Sequence, residues 1–199
     1  MSFSLLRPHL HWDEVQLACH RTLVAGFKLL GIFKSDISDD DILKSGVSAA
    51  FFPHGVGHSL GMDVHDVPGA SKPIVNPTVP HNTTAADHSS MYTYLRLRLP
   101  LEVGMVVVSP SVFLGHIVCT TDTLFLHAQT VEPGIYFSPH LLAAVRQSEL
   151  IDHEVLKEYE SVGGLRIEDV VVIRETAYEN LTTVRSDLEW VEGVCSGQF

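Results

Sequence analysis

Apolar residues recur every three or four positions between Trp12 and Leu30, which is the spacing of one face of an amphipathic helix. Gly31 follows the last of them, and glycine is the residue type that most often ends a helix. The sequence therefore predicts a helix from Trp12 to about Gly31. A lone histidine within such a helix, such as His20, is more typical of a core or solvated residue than of a ligand.

A second, shorter helix is predicted in the segment that follows. Three consecutive aspartates, 39–41, precede Ile42 and Leu43, and acidic side chains stabilise the first turn of a helix. Gly46 is placed to end it. A cation site is the alternative use of the aspartates, but they lack the alternate spacing and the glycine of a calcium loop.

Residues 69–92 are rich in Pro, Asn, Thr and Ser and show no apolar period, so they are predicted to form a long surface loop. From Leu95 to Leu99 apolar and basic residues alternate strictly, which predicts a strand with one basic face. Arg96 and Arg98 on that face could meet a substrate carboxylate, although a solvated face is the more common use of such a pattern.

Three segments rich in β-branched and aromatic residues, 104–108, 130–137 and 165–173, are each predicted to form a strand. A short terminal helix is predicted over 187–191. In the third strand, burying Glu168 among apolar neighbours costs free energy unless the charge is paired or bound to a metal. A cation is therefore expected beside Glu168, and strand alternation makes Arg166 one candidate partner.

The densest group of candidate chemistry lies in residues 52–68. Three histidines, His54, His58 and His65, stand there with two aspartates among glycines that permit tight turns. This composition is typical of a metal or acid–base site, and a structural histidine cluster is the alternative. Two glycines between His54 and His58 argue against the helix of a zincin-type metalloprotease.

Charge and cysteine content narrow the class of protein. With 13 basic residues against 24 acidic ones and a net charge of -11, a nucleic-acid partner is not expected. The three cysteines, Cys19, Cys119 and Cys195, form neither a C-x-x-C pair nor a disulfide framework. We find no secretory signal and no membrane span, and we expect a cytoplasmic protein with free thiols.

Three segments in a fixed order resemble motifs of the aminopeptidase P and prolidase family of metallopeptidases. They are the run from His54 to Asp66, the segment from Val131 to Tyr136 and the segment from Gly164 to Asp169. The likeness covers most of residues 5–195 and is strongest to fungal-type Xaa-Pro aminopeptidases. The resemblance implies an α+β fold, the pita-bread catalytic domain, with a curved antiparallel sheet and flanking helices.

The resemblance also implies an activity and a set of site residues. The family's enzymes are dinuclear hydrolases, usually dependent on manganese, that cleave the bond between an N-terminal residue and a following proline. The metal ligands of the family fall on His58, Glu132 and Glu168. His54 and His65 match its substrate-binding and proton-handling positions, and Arg166 matches the arginine that supports the last glutamate. A peptide substrate and a homodimer are the expected partners.

The sequence departs from the family in two places. The family has five metal ligands, and its first two are aspartates on strands that precede the helix at Trp12. We therefore expect residues 1–199 to form part of the catalytic domain, with three of five ligands and without the family's N-terminal domain. Residues 108–129 separate two segments that are continuous in the family. Because codons for Val-Ser and for Gln can read as splice signals, we predict a retained intron or an insertion there.

Three functions therefore remain open. The first is an Xaa-Pro aminopeptidase that activates water between two metal ions. The second is an inactive remnant that binds proline-containing peptides or pairs with a homologue. The third is a single-metal hydrolase that uses only His58, Glu132 and Glu168.

Overall fold

A long helix, α1 (Trp12–Leu29), forms the scaffold of the computed structural model, which describes residues 6–60, 63–67, 71, 90–105 and 128–198. The His11 side chain accepts a hydrogen bond from the Asp13 N–H, and the Glu14 carboxylate accepts one from the His11 N–H. Gly31 has a φ of 79°, which reverses the chain after the helix. The predicted helix and its end are confirmed.

The face of α1 that carries the apolar repeat is buried against an aromatic cluster. The Phe27 ring lies 4.9 Å from that of Phe51 and 5.9 Å from that of Phe137, measured between ring centroids. Phe33 completes the cluster at 5.4 Å from Phe27. Aromatic pairs at these separations contribute to stability beyond the area they bury. The core therefore fixes α1 against the chain on either side of the histidine-rich run.

The acidic run forms α2 (Asp39–Ser45), as predicted. The Ser38 side chain caps the helix by accepting the N–H of Asp41, and Gly46 ends it with a φ of 75°. A 3₁₀ helix, Val47–Ala50, then leads directly into the histidine-rich run. The helix reading of the aspartates is confirmed.

Among the described residues, six short strands form two antiparallel sheets. The strands are β1 (Ser59–Leu60), β2 (Ala128–Val131), β3 (Gly134–Tyr136), β4 (Gly164–Arg166), β5 (Asp169–Ile173) and β6 (Tyr178–Asn180). The larger sheet has the order β1-β2-β5-β6, and β3 pairs with β4 in the smaller one. Between these elements lie α3 (Pro139–Leu142) and α4 (His153–Tyr159), and α5 (Leu188–Cys195) follows β6, longer than the terminal helix predicted over 187–191.

The two longest predicted strands, 130–137 and 165–173, are each broken in the middle, so their prediction as single strands is wrong. The larger sheet ends where Val131 faces Asp169, and the smaller one begins where Gly134 faces Arg166. Pro133 has no N–H to donate, so the ladder cannot run through it. The two breaks lie opposite each other, and each contains one of the two candidate glutamates.

The predicted strand from Leu95 to Leu99 is also wrong, although the alternation is visible in the burial of its residues. Leu95 and Leu97 are buried while Arg96 is exposed. The backbone there bonds to a side chain instead of a strand, because the Ser71 hydroxyl donates to Arg96 O and accepts from Arg98 N. A period of two thus reports the burial correctly, although no partner strand for this segment lies in the part of the chain that the structure describes.

Other predictions fall partly or wholly outside the described residues. The strand predicted over 104–108 is described only at its first two positions, which form a turn and an irregular residue. Most of the loop 69–92 and nearly all of the segment 108–129 are not described; only the backbones of residues 128 and 129 enter β2. Across the described residues, no helix combines the length and apolarity needed to cross a membrane.

Candidate metal and acid–base site

The histidine-rich run is held against β2 by backbone hydrogen bonds. Thr130 N donates to His58 O at 2.6 Å, and Glu132 N donates to Val56 O at 2.6 Å. A Cβ at Gly57 would lie 1.5 Å from Thr130 O, so no other residue fits between these segments. The glycine therefore allows the close approach that brings His58 beside Glu132.

His58 is buried and presents one ring nitrogen to a carboxylate. Its Nδ1 lies 3.1 Å from Ser59 O, and since a carbonyl oxygen only accepts, Nδ1 carries the proton. Nε2 then bears a lone pair, and it lies 3.4 Å from Glu132 Oε1. An imidazole fixed in this tautomer is the form that can ligate a metal ion.

Glu132 occupies the break between β2 and β3, where its carboxylate is approached by Thr130 and Arg166 as well as by His58. The Thr130 hydroxyl donates to Oε1 at 2.8 Å and also accepts the His58 N–H at 2.9 Å. Arg166 Nη1 lies 3.4 Å from Oε2. Thr130 therefore links the backbone of one candidate ligand to the carboxylate of another, a role that the sequence analysis missed.

Glu168 occupies the opposite break and is paired with the same arginine. Arg166 Nη2 lies 3.4 Å from Glu168 Oε2, so the guanidinium spans both carboxylates. Glu168 Oε1 is buried and has no hydrogen-bond partner within the described residues. The cation expected beside Glu168 is thus Arg166. The buried Oε1 still lacks the hydrogen-bond or metal partner that a buried carboxylate oxygen normally has.

His54 is connected to this group through Tyr136, which the sequence analysis did not single out. The Tyr136 hydroxyl lies 2.9 Å from His54 Nε2, and it also accepts a hydrogen bond from Arg166. His54 Nδ1 lies 2.9 Å from Gly55 O and therefore carries the ring proton, so the Tyr136 hydroxyl donates to Nε2. Burial, opposed by Arg166, raises the pKa of Tyr136, which keeps this hydroxyl protonated.

His65 stands over the His58 ring. The two ring centroids lie 4.3 Å apart at an interplanar angle of 61°. Desolvation lowers the pKa of His65, its electrostatic interactions with His58 and Arg96 lower it further, and Glu132 opposes the shift. His65 is exposed and so remains accessible from the cavity as a neutral base.

One cavity of about 810 Å³ brings these side chains together. His54, His58, His65, Glu132 and Arg166 all line it, and Arg96 lies on its wall. Its size suits a short peptide. Arg98, the other candidate for a substrate carboxylate, instead donates to Asp13 at the start of α1, with 3.1 Å between Nε and Oδ1.

The donor types fit a divalent cation, since an imidazole nitrogen and two carboxylates are ligands of hard and borderline metals. The arrangement is less complete. Only His58 and Glu132 converge, and among the described residues no group of three or more His, Cys, Asp or Glu side chains is arranged to hold a metal ion. Arg166 pairs with both glutamates. A metal ion shared by the two carboxylates would have to bind where the guanidinium now lies.

Comparisons with known proteins identify the family of this chain. Residues 2–118 match the model of metallopeptidase family M24. A probable Xaa-Pro aminopeptidase of Pyricularia oryzae is 38% identical over 98% of this chain and 36% of its own length. An uncharacterized peptidase of Saccharomyces cerevisiae is 36% identical over 95% of this chain and 30% of its own length.

Solved structures lead to the same fold. Aminopeptidase P from Escherichia coli with the inhibitor Pro-Leu is 30% identical, with a TM-score of 0.58, over 99% of this chain and 32% of the enzyme's length. This likeness confirms the predicted α+β, pita-bread fold class. The chain spans about a third of the length of the relatives that it matches.

Proposed function

The chain belongs to metallopeptidase family M24, and from that premise we propose that it carries part of the catalytic site of an Xaa-Pro aminopeptidase. The reaction is hydrolysis of the bond between an N-terminal residue and a penultimate proline. The observation that carries this proposal is the convergence of three histidines, Glu132 and Arg166 on one cavity. A cytoplasmic location and a homodimer stay predictions from the sequence.

His58, Glu132 and Glu168 are the residues that would hold the divalent metal, for which we propose manganese. His58 Nε2 has its lone pair available, and Glu168 Oε1 lacks a hydrogen-bond partner among the described residues. A cation bound there would supply Lewis-acid polarisation of the amide carbonyl and an activated water.

The remaining polar side chains would bind the peptide and manage its protons. His65 faces the cavity, and the lowered pKa keeps it neutral and able to accept a proton at neutral pH. His54 is oriented by Gly55 O and Tyr136, and Tyr136 is oriented by Arg166. This chain of ion pairs and hydrogen bonds runs from the carboxylates to the wall of the cavity and fixes the orientation of the His54 ring.

Proline explains why such a dedicated site is needed. An Xaa-Pro bond has no N–H at the proline nitrogen and a fixed φ, so an enzyme that grips an extended backbone through its N–H groups handles it poorly. Arg96, exposed on the cavity wall, offers a cation for the carboxylate of a short substrate. We propose that peptides ending in proline are bound through it.

The test is hydrolysis of an Ala-Pro dipeptide by the purified chain with added manganese, followed by chromatography of the products. His58→Ala and Glu168→Ala should abolish turnover, whereas the control His140→Ala, at the start of α3, should leave it unchanged. Arg96→Met should raise KM for Ala-Pro but not for its C-terminal amide. Turnover that survives both His58→Ala and Glu168→Ala would refute the proposed site.

A specific observation favours a second function. Since only two of the proposed ligands converge in the described residues, the chain is also a candidate for an inactive module that binds proline-containing peptides. Tight peptide binding without hydrolysis would support this alternative. The metal content separates the remaining cases, because a dinuclear site binds two ions per chain and a single-metal hydrolase one.

A further inference from the structure

Gln16 is a buried glutamine on α1 that connects two walls of the site cavity from behind. Its side chain is fully buried within the core. A buried amide is costly unless its donors and its acceptor are all satisfied, so its partners indicate what it holds in place.

The partners of Gln16 come from two separate segments of the chain. Its Nε2 donates to Met91 O at 2.9 Å and to His54 O at 3.2 Å, and its Oε1 accepts the Val56 N–H at 2.6 Å. Carbonyl oxygens only accept and a backbone N–H only donates, so these three contacts fix the orientation of the amide. Gln16 thereby holds both ends of the turn that carries His54.

A second layer of side chains holds Gln16 itself. His20 Nε2 lies 3.2 Å from Gln16 Nε2, and His20 Nδ1 lies 3.0 Å from the Ser48 hydroxyl. All three side chains are fully buried, and the His20 ring packs against Phe52 with 5.0 Å between ring centroids. The two N–H groups of Gln16 have three acceptors within reach, so one N–H is shared, and the buried contacts of His20 and Ser48 hold the amide from behind.

The two segments joined by Gln16 form adjoining walls of the cavity. His54 and Gly55 lie on one wall, and Tyr94, Leu95 and Arg96 lie on the other. A Cβ at Gly55 would lie 3.0 Å from Leu95 Cα and from Tyr94 O, so the walls approach as closely as a glycine allows. A small change behind the walls would therefore alter the cavity that they line.

We infer that Gln16 is a positioning residue that sets the spacing of these walls and the place of His54 relative to Tyr136 and the bound peptide. The effect on peptide binding rests on the proposed function. The effect on His54 stands without it. A purely structural role would change stability alone, whereas positioning also changes the His54 ring contacts.

The test compares Gln16→Met, which keeps size but loses every polar contact, with Gln16→Glu, which keeps the acceptor for Val56. The control is Val24→Ala, fully buried about two turns further along the same helix. Three quantities are measured for each: the unfolding midpoint, the ¹⁵N signals of the His54 ring, and the affinity for Ala-Pro. The control shows what a loss of stability alone does.

Gln16→Met should shift the His54 ring signals and weaken Ala-Pro binding about tenfold, and Gln16→Glu should do so at least as strongly because a carboxylate cannot donate to Met91 O or His54 O. Val24→Ala should lower the midpoint and leave both other quantities unchanged. Unchanged His54 signals in the Gln16 variants, or equal shifts in the control, would overturn the inference. If Gln16→Met does not fold, Gln16→Glu decides. If the unaltered chain binds no Ala-Pro, the proposed function fails while the His54 signals still decide the role of Gln16.

Discussion

The Tyr136 hydroxyl donates to Nε2 of His54 across 2.9 Å, and this contact connects the histidine-rich run to the two glutamates. Arg166 hydrogen-bonds the same hydroxyl and pairs with Glu132 and Glu168. One hydroxyl and one guanidinium thus relate side chains that come from three separate motifs of the sequence. The site is a continuous polar network whose parts are open to separate tests.

Replacing Tyr136 with phenylalanine removes the hydroxyl and keeps the ring. The loss of its hydrogen bonds should lower the free energy of unfolding by about 1 kcal/mol, measured by urea denaturation. The ¹⁵N resonance of His54 Nε2 should shift, because this nitrogen loses its donor. Tyr94→Phe is the matched control, since Tyr94 lines the same cavity but is 67% exposed. A His54 spectrum that is the same in both variants would contradict the network.

Thr130 provides a second test, because its hydroxyl serves two candidate ligands at once. Thr130→Val removes the donor to Glu132 and leaves the buried His58 N–H unsatisfied, so unfolding should become easier by about 2 kcal/mol. Thr130→Ser keeps the hydroxyl and should recover most of that loss. Equal unfolding free energies for the valine and serine variants would show that the hydroxyl contributes nothing.

A third test asks whether a metal ion can replace the positive charge of Arg166 between the two glutamates. Arg166→Gln removes the only cation that spans both glutamates within the described residues, which should cost about 1 kcal/mol at this half-exposed position. Added manganese should then raise the unfolding midpoint of the variant more than that of the unaltered chain. Arg146→Gln breaks the surface pair with Glu160 and serves as the control. Equal manganese shifts in all three proteins would argue against a metal site between the glutamates.

The sequence predicts the elements of this fold better than the way they join. Helix α1 follows from its apolar period and α2 from its capping residues, since both signals are local. The strand breaks at Glu132 and Glu168 were not predicted, because Val, Ile and Tyr indicate strand on either side of each break and the end of a ladder depends on its partner. Pro133 was the one local signal that could have revealed the first break.

In the site too, residues that belong to a local motif can be predicted from the sequence, and residues that act through long-range contacts cannot. His54, His58, His65, Glu132 and Arg166 could be singled out by residue type and motif, and the structure brings them to one cavity. Gln16, Thr130 and Tyr136 act through contacts that span 40, 72 and 82 residues of sequence. Their side chains have no unusual local pattern, so no inspection of neighbouring residues identifies them. Their importance follows only from the folded chain.

Two glycines on this scaffold should respond oppositely to the same substitution. Gly57→Ala puts a Cβ 1.5 Å from Thr130 O, which forces β1 away from β2 and should cost about 4 kcal/mol or more. Gly26 lies within α1, where nothing comes within 4 Å of an added Cβ. Gly26→Ala should therefore stabilise the protein by about 1 kcal/mol through helix propensity. Thermal and urea unfolding check both, and a tolerated Gly57→Ala would refute the close approach that places His58 beside Glu132.

The buried thiol of Cys19 gives a prediction for pH. Burial raises the pKa of Cys19 from 9.0 to about 12, so the thiol stays protonated and unreactive at pH 8.5. In a Cys119→Ser background, iodoacetamide should label only the exposed Cys195 in the folded chain and both thiols in urea.

The same shift fixes the direction of the stability change. Since the folded pKa lies above the unfolded one, stability is fully present below pH 9 and should be lost progressively between pH 9 and 12. Cys19→Ala should reduce this dependence and leave the part that comes from Tyr92 and Tyr136, whose pKa values are also raised, which urea denaturation across that pH range would detect. Rapid labelling of Cys19 in the folded chain at pH 8.5 would show instead that α1 opens readily beside the site that it supports.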